Sequence, residues 1–413
     1  MLPQLRARVF ILTKNEAEEL RLERDLLVNM VKGFQIQRYA LLDQGFLLLN
    51  TYAETNIDRY PQVAMHLARF RKQLEQRDAM PRCAWYGVGL PKNRELFQAN
   101  PTKILAPKYA TGNKFAYDDG EGYYCTSDAY IIVRKPECKI DLRYILAILN
   151  SRMMEFYHKK VGKLKREGYY EYFAEQLRRL PIRKINLQES KDKAVHDRII
   201  DLVARLIDAM KRLREFERTF GECAALYPIN DRLSQLRTYY EYDEIQANVL
   251  GDFNRKRGTV YALNVSKEQG KIRLLIDYEL EEGENEADLI RRTPALDLRF
   301  KDEGICDFIY YSLRKFIAET RKKVLGRGNI LKVIQTGISI PCFAINHKEN
   351  IEIIRNIMSQ FQARTKGLLG EHTTLEQLES EIQILDGEIE QEVHSLYGIA
   401  KEEERIIEVE SLS

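Results

Sequence analysis

Asn100-Pro-Thr-Lys-Ile-Leu-Ala-Pro-Lys108, Leu146-Ala-Ile-Leu-Asn-Ser151 and Lys163-Leu-Lys-Arg-Glu-Gly-Tyr-Tyr-Glu-Tyr172 follow one another along this chain. The first is a short apolar run fenced by prolines and reads as a strand. The second closes an apolar helical segment that starts near Leu142, and the third sets cations around a turn-prone glycine. Between the first two, β-rich runs to Val133 are broken by Thr111-Gly-Asn113 and Asp118-Asp-Gly-Glu-Gly122, the turn signals of a hairpin-bearing sheet. In the third, Lys159, Lys160, Lys163, Lys165 and Arg166 flank Gly168, and Tyr169, Tyr170, Tyr172 and Phe173 come directly after. Cations satisfy phosphates, arginine can read a guanine edge, and aromatic rings can pack on sugars or exposed bases. The plainer reading is a solvated basic helix with a tyrosine-rich buried face.

Working outward, the N-terminal part alternates the two periodicities. A strand at Val9 to Leu12 is followed by a helix through Glu16 to Leu27, a strand at Phe46 to Leu49 and a helix from Pro61 to about Glu75, the mixture of an α+β domain. After Pro181 the pattern changes. Val195, Ile199, Leu202, Val203, Leu206, Ile207, Met210 and Leu213 form one stripe of a long amphipathic helix reaching about Phe216, and Leu368, Leu375, Leu378, Ile382, Leu385, Ile389 and Val393 form another. Paired antiparallel, the two would make a coiled-coil arm; the alternative is two helices packed separately on globular domains. Between them lie strand-like runs at Thr259 to Val265 and Lys271 to Tyr278, an acidic turn at Glu281 to Glu286 and an amphipathic helix near Ile305 to Val324, a small α+β module.

The 413 residues are enough for two or three domains, and 44% hydrophobic against 31% charged residues is an ordinary globular balance. A net charge of +3 does not by itself point to nucleic acid, but its distribution is uneven. From Arg152 to Lys184 there are ten basic residues to four acidic, whereas Glu371 to Glu410 is dominated by glutamate. Cys83, Cys125, Cys138, Cys223, Cys306 and Cys342 contain no Cys-x-x-Cys pair and read as small buried residues of a reducing cytosol. No apolar run approaches the ~20 residues of a membrane span, and no signal-peptide core is visible, so cytoplasm is expected.

Catalytic constellations are scarce. His66, His158, His196, His347, His372 and His394 show no metal spacing with a second His or Cys, and no Ser or Cys stands in a nucleophile elbow. Asp277, Glu279, Glu281 and Glu282 follow a strand but lack the Glu-x-Lys spacing of a metal-dependent nuclease, so they read as an acidic turn.

From about Arg8 to Ile185 the order of segments resembles the TaqI-like C-terminal specificity domain, the target-recognition part of adenine-specific DNA methyltransferases and of single-chain restriction-modification enzymes. The matching pieces are Val9-Phe-Ile-Leu-Thr13, Val31-Lys-Gly-Phe-Gln-Ile-Gln-Arg-Tyr39, Phe46-Leu-Leu-Leu-Asn50, Tyr60 to Phe70, Trp85-Tyr86, the three opening segments and Leu180-Pro-Ile182. In such single-chain enzymes a coiled coil follows, ending in a segment like Val393-His-Ser-Leu-Tyr-Gly-Ile399 and an acidic tail such as Glu402 to Ile407. The family's methyltransferase domain carries a glycine-rich S-adenosylmethionine site and an Asn/Asp-Pro-Pro-aromatic motif. Here Asn100-Pro101 continues as Thr-Lys, without the second proline or the aromatic that would stack on a flipped adenine.

The resemblance thus implies recognition without methyl transfer: a sequence-specific DNA-binding component acting with a separate adenine-N6 methyltransferase or endonuclease subunit. No cofactor is expected in this chain, with S-adenosylmethionine and Mg2+ expected in the partner; self-association through the arm is a further expectation. The alternatives are a C-terminal portion of a full restriction-modification enzyme and a protein-interaction module that has lost DNA binding. The expected layout is a recognition domain at 1–185, the first arm helix at 186–220, an α+β insertion at 221–345, and the return helix with its tail at 346–413. Expected phosphate contacts are Lys103, Lys108, Lys160, Lys163, Lys165 and Arg166, and Arg94, Lys114 and the Tyr169, Tyr170, Tyr172 loop would approach base edges. Asn150-Ser151 is expected to cap or bend a helix, and Trp85 and Phe97 to be core. Arg321-Lys-Lys323 and Arg327 read as helix-end cations.

Overall fold

The computed structural model describes residues 9–42, 44–77, 83–89, 93–165, 168–251, 253–281, 290–320, 324–370 and 374–412. Two compact units divide it, one of residues up to Lys211 together with Glu379 onward, the other Arg212–Leu378. Both mix helices and sheets, so the α+β class holds.

The first unit opens with strand β1 (Ile11–Thr13) and helix α1 (Lys14–Glu19). Thr13 starts the helix through a capping box, its hydroxyl accepting from Glu16 N at 3.2 Å while the Glu16 carboxylate accepts from Thr13 N at 2.7 Å. The helix expected to reach Leu27 ends here, because Arg21 turns left-handed (φ 51°) and Leu27-Val-Asn-Met-Val31 is strand β2. With β3 (Ile36–Gln37), β4 (Ala40–Leu41) and β5 (Phe46–Leu49) introduced, β5 runs antiparallel between β1 and β2. Pairing with β5 on one side and burial of both Met30 and Val31 override an amphipathic pattern that fits either element. Val9, Phe10, Leu12 and Leu49 bury against Val63 and Leu67 of α2 (Pro61–Ala68), and α3 (Arg71–Glu75) continues as a separate turn.

Next come α4 (Arg94–Gln98), β6 (Lys103–Pro107), β7 (Tyr109–Ala110), β8 (Ala116–Asp118), β9 (Tyr124–Cys125) and β10 (Ala129–Val133). Every residue of β6 is buried, since it is the middle strand of β10-β6-β8, and β9 runs parallel to β2. The apolar segment from Leu142 is two helices, α5 (Leu142–Asn150) and α6 (Arg152–Val161), separated by Ser151 in an extended conformation. Ser151 Oγ accepts from Met154 N at 3.1 Å, capping α6, and Asn150 is buried with its amide bonded to the Phe115 backbone. Strand β11 (Tyr170–Glu171) and α7 (Ala174–Arg178) precede the long α8 (Ser190–Ala225).

The second unit holds an antiparallel five-stranded sheet in the order β12-β15-β14-β13-β16, built from β12 (Ile245–Val249), β13 (Arg257–Glu268), β14 (Lys271–Leu280), β15 (Ile290–Phe300) and β16 (Gly326–Asn329). Gly258 is required within β13, where a Cβ would lie 2.1 Å from Glu279 O. Its apolar face packs on α9 (Glu303–Thr320), α10 (Ile330–Gly337) and α11 (His347–Thr365), with Ile272, Leu274 and Ile276 meeting Phe308, Ile334 and Phe361 in one core.

Helices α12 (Leu375–Tyr397) and α13 (Lys401–Leu412) close the chain. In the first unit Ile199, Leu202, Val203 and Leu206 of α8 and Leu385, Ile389 and Val393 of α12 join Tyr144, Leu146 and Leu149 in a single cluster. Arg198, near the start of α8, pairs with Glu392 at 2.7 Å. Here the apolar stripes belong to the globular core. Leu368, assigned to the second stripe, lies in the turn before α12. Among the described residues no helix is long and apolar enough to cross a membrane.

Lys103, at the head of β6, is 1% exposed and its ammonium sits 2.7 Å from Asp118 Oδ2 across the register with β8. The same carboxylate accepts backbone N–H groups of Gly120, Glu121 and Tyr123 at 3.0, 2.8 and 3.0 Å, so it cannot leave with its partner. Removing one member of a buried pair strands the other charge, at about 3–5 kcal/mol. Lys103→Ala is therefore expected to lower unfolding free energy by about that amount in urea titration, and an unchanged midpoint would refute the structural role.

Candidate nucleic-acid interface

Helix α6 runs into the two legs of a hairpin, residues 163–165 and 168–171. Glu171 N donates to Lys163 O at 3.1 Å, Lys165 N donates to Tyr169 O at 2.6 Å, and Leu164 bridges Tyr170 in antiparallel sense. Gly168, at φ +76°, provides the left-handed turn. Gly162 is equally constrained, because a Cβ there would lie 2.5 Å from His158 O. One leg is fastened to the body of the unit: β11 pairs antiparallel with β7, and Tyr172 N donates to Lys108 O at 3.0 Å.

Beneath the hairpin lies a buried polar platform. The Tyr172 hydroxyl donates to Asn113 Oδ1 at 2.9 Å, and its ring stacks on His158 at 4.2 Å between centroids. Asn113 in turn donates from Nδ2 to Leu149 O at 2.6 Å, and its backbone N–H is accepted by Glu155 at 2.9 Å. His158 donates from Nε2 to Glu171 O at 3.1 Å. Burial pushes the Tyr172 phenol up and the His158 imidazole down from their ordinary ranges, so both stay neutral near pH 7.

The candidate residues separate into groups. Lys160, Lys163 and Lys165 are exposed on α6 and the hairpin, with Lys160 over the Phe156 ring at 5.2 Å. Lys165 reaches Glu171 at 2.7 Å, and that hydrogen bond raises its ammonium above the usual lysine range. Lys108 lies beside the hairpin, 5.1 Å from the Phe173 centroid and 5.9 Å from that of Tyr109. Tyr169 and Tyr170 are half-buried, as is Lys114 next to the platform. Arg166 lies outside the described residues, as do Arg321, Lys322 and Lys323.

Two candidates do not reach the surface. Lys103 spends its charge on Asp118, and Tyr172, 1% exposed, belongs to the platform, so neither can meet a phosphate or a base in this fold. Arg94 begins α4 and is engaged by Glu54 at 3.0 Å and by the Tyr52 ring at 3.9 Å. Phe97 stacks on Tyr124 at 4.8 Å, and Trp85 is partly buried. Tyr109, exposed between Lys108 and the hairpin leg, is a surface aromatic that the sequence pattern gave no reason to single out.

The acidic turn of the second unit is a salt-bridged surface. Glu281 accepts from Arg257 at 2.9 Å and from Arg327 at 3.4 Å, Asp277 accepts from Arg292 N at 2.7 Å, and Glu279 accepts from the Tyr261 hydroxyl. Glu282 lies outside the described residues. Among the described residues no group of three or more His, Cys, Asp or Glu is placed to hold a metal ion.

The depressed His158 imidazole has a consequence in acid. Unfolded chains bind a proton that the folded platform refuses, so stability is full above the ordinary histidine pKa and falls as pH drops through it. Urea midpoints measured from neutral pH to about pH 5 should decline in wild type, and less steeply in His158→Gln; parallel declines would exclude His158 as the cause.

Residues 29–182 match the family model of the TaqI-like C-terminal specificity domain. Among curated proteins, the chain is 29% identical over 128 residues to the type II methyltransferase M.HincII of Haemophilus influenzae, covering 30% of this chain and 25% of that protein. It is 30% identical over 121 residues to M.HindII of Haemophilus influenzae strain Rd, covering 28% and 23%, and 35% identical over 103 residues to M.BanIII of Aneurinibacillus aneurinilyticus, covering 24% and 17%. Each match spans a quarter or less of the relative's own length. The region that carries the hairpin, Lys108 and the buried platform lies within residues 29–182, the stretch similar to the TaqI-like C-terminal specificity domain.

Proposed function

We propose that this chain recognises a DNA sequence within a restriction-modification system, acting with a methyltransferase or endonuclease on another polypeptide. The observation that carries the reading is the hairpin with legs 163–165 and 168–171, which presents Lys163 and Lys165 beside Lys160 and Lys108 from a base fixed by backbone hydrogen bonds and the Tyr172-His158-Asn113 platform. Exposed cations on a fixed frame can follow phosphates at set spacing, and a frame that does not flex transmits position to any side chain that reaches a base edge. Lys108, Lys160 and Lys163 contact phosphate, with Lys165 and Arg166 completing the set. Tyr169, Tyr170 and Tyr109 lie where sugars and base edges would approach, while Lys114 and Arg94 stand further along the same reading.

A second reading has its own support. The relatives are type II methyltransferases of which the match covers a quarter or less, which suits a recognition portion of a larger enzyme that methylates adenine N6 with S-adenosylmethionine and cleaves if a nuclease is attached. The α8 and α12 helices would then fix the distance between the recognition surface and the catalytic domain. Mixing the chain with a methyltransferase polypeptide and S-adenosylmethionine separates the two: methylation that requires both, at a site the chain alone already selects, supports a two-polypeptide system.

The direct test is selection from a randomised duplex pool at two salt concentrations, with the bound fraction sequenced. One short enriched motif and a steep salt dependence are expected; no binding at either concentration overturns the reading. Lys160→Ala with Lys163→Ala should weaken binding to every sequence alike and lower the slope of log K against log salt by about two, since each phosphate contact contributes about 0.9. An unchanged slope would remove these lysines from the interface.

A further inference from the structure

We propose that Phe34 is a wedge that inserts between stacked base pairs of the duplex bound at the hairpin, an inference that rests on the DNA reading above. Phe34 occupies the middle of a single 3-10 turn, Gly33–Gln35, and is 58% exposed, while Gln35 and Ile36 beside it are fully buried. Single exposed apolar side chains are ordinary, but among the described residues Phe34 is the one phenylalanine that is exposed.

The turn that carries the ring is fixed on every side. Lys32 N donates to Gln35 Oε1 at 2.8 Å, Gln35 N donates to Lys32 O at 2.9 Å, and Gln35 Nε2 donates to Leu42 O at 2.7 Å. Leu42 N returns a bond to Gln35 O at 2.8 Å, and Gln37 Nε2 donates to Phe34 O at 2.9 Å. Gly33 N donates to Asp128 Oδ2 at 2.8 Å, and only glycine fits there, because a Cβ would lie 2.7 Å from Asp128 O. That same Asp128 carbonyl accepts from Lys108 N at 2.8 Å. One residue thus fastens the Phe34 turn to Lys108, at the bend between β6 and β7, and, through Lys108 O and Tyr172 N, to the hairpin leg.

An exposed apolar ring on an ordered support that is tied through Asp128 to the backbone of Lys108 has the chemistry of a side chain that separates a base step and kinks the duplex. Order in the support matters, since a floppy loop would lose conformational entropy on insertion and forfeit much of the gain. Lys108 argues for DNA as the occupant, because Asp128 ties its backbone to the Phe34 turn and the DNA reading gives it a phosphate contact.

The test uses the full chain and a duplex carrying the motif enriched from the random pool, with 2-aminopurine replacing successive adenines. Wild type should raise the fluorescence at one step, reporting local unstacking. Phe34→Ala should abolish that rise and weaken binding about tenfold, and Phe34→Leu should restore part of both. Because the ring is exposed, thermal melting should show all three proteins equally folded. A wild-type chain that binds no duplex removes the DNA reading and this inference together. Binding with the same affinity and fluorescence in Phe34→Ala overturns the wedge alone, as does a Phe34→Ala protein that keeps its DNA affinity but loses a co-purifying protein partner.

Discussion

Asn150 holds the first unit together at the point from which the candidate surface is built. Its side chain behaves as a missing strand: Oδ1 accepts from Phe115 N at 3.0 Å and Nδ2 donates to Phe115 O at 2.9 Å, so both backbone groups of a buried residue are satisfied by one amide. Phe115 O also accepts from Tyr39 N at 2.8 Å, and Asn150 O accepts from Arg38 Nε at 2.9 Å. An aliphatic side chain at 150 would leave a buried donor and acceptor without partners, which costs more than the hydrogen bonds themselves contribute. Directly after it Ser151 redirects the chain, and the direction of α6, hence of the hairpin, follows from that break.

The same network extends to α12. Arg38 places its guanidinium on Asp386 at 2.5 Å and Glu390 at 2.6 Å, and Glu390 also accepts from Arg152 N at 3.1 Å. Burial opposes the charge on Arg38, but Tyr39, Asp386 and Glu390 hold it above its ordinary value, while burial pushes the Glu390 carboxyl up. Such pairs contribute little net stability against apolar replacements, but they reject misplacement because an unpaired member is costly. Segments far apart in sequence, 38, 150–152 and 386–390, are therefore held in one register, and the packing of the first unit is completed by α12.

Much of this was legible from residue order. The strand at Phe46–Leu49, the turn at Gly168, the capping role of Ser151 and the exposure of Lys160, Lys163 and Lys165 follow from local pattern and turn chemistry. What failed depended on partners distant in sequence. Lys103 in Lys-Ile-Leu-Ala looks like a strand-end surface lysine until β8 brings Asp118 opposite it. Tyr172 looks like one of three loop aromatics until the pairing of β11 with β7 turns it inward onto His158. The helix read through Glu16 to Leu27 stops at Glu19, and Leu27 instead opens a strand that is fixed by its neighbours β5 and β9. Buried-charge partners and strand register are tertiary facts, which is why they escape a reading of periodicity.

The hairpin legs, 163–165 and 168–171, are held through main-chain atoms: Lys163 O, Lys165 N, Tyr169 O, Glu171 N and the rungs to β7. None of these bonds depends on what residues 163, 165 or 169 carry beyond their Cα atoms. The frame therefore tolerates exchange at residues 163, 165 and 169 while Gly162, Asn113, His158 and Tyr172 beneath it do not, so variation falls on the hairpin and constraint on the platform that carries it. Side chains displayed on such a frame can be exchanged singly without the chain having to give up its fold at any step.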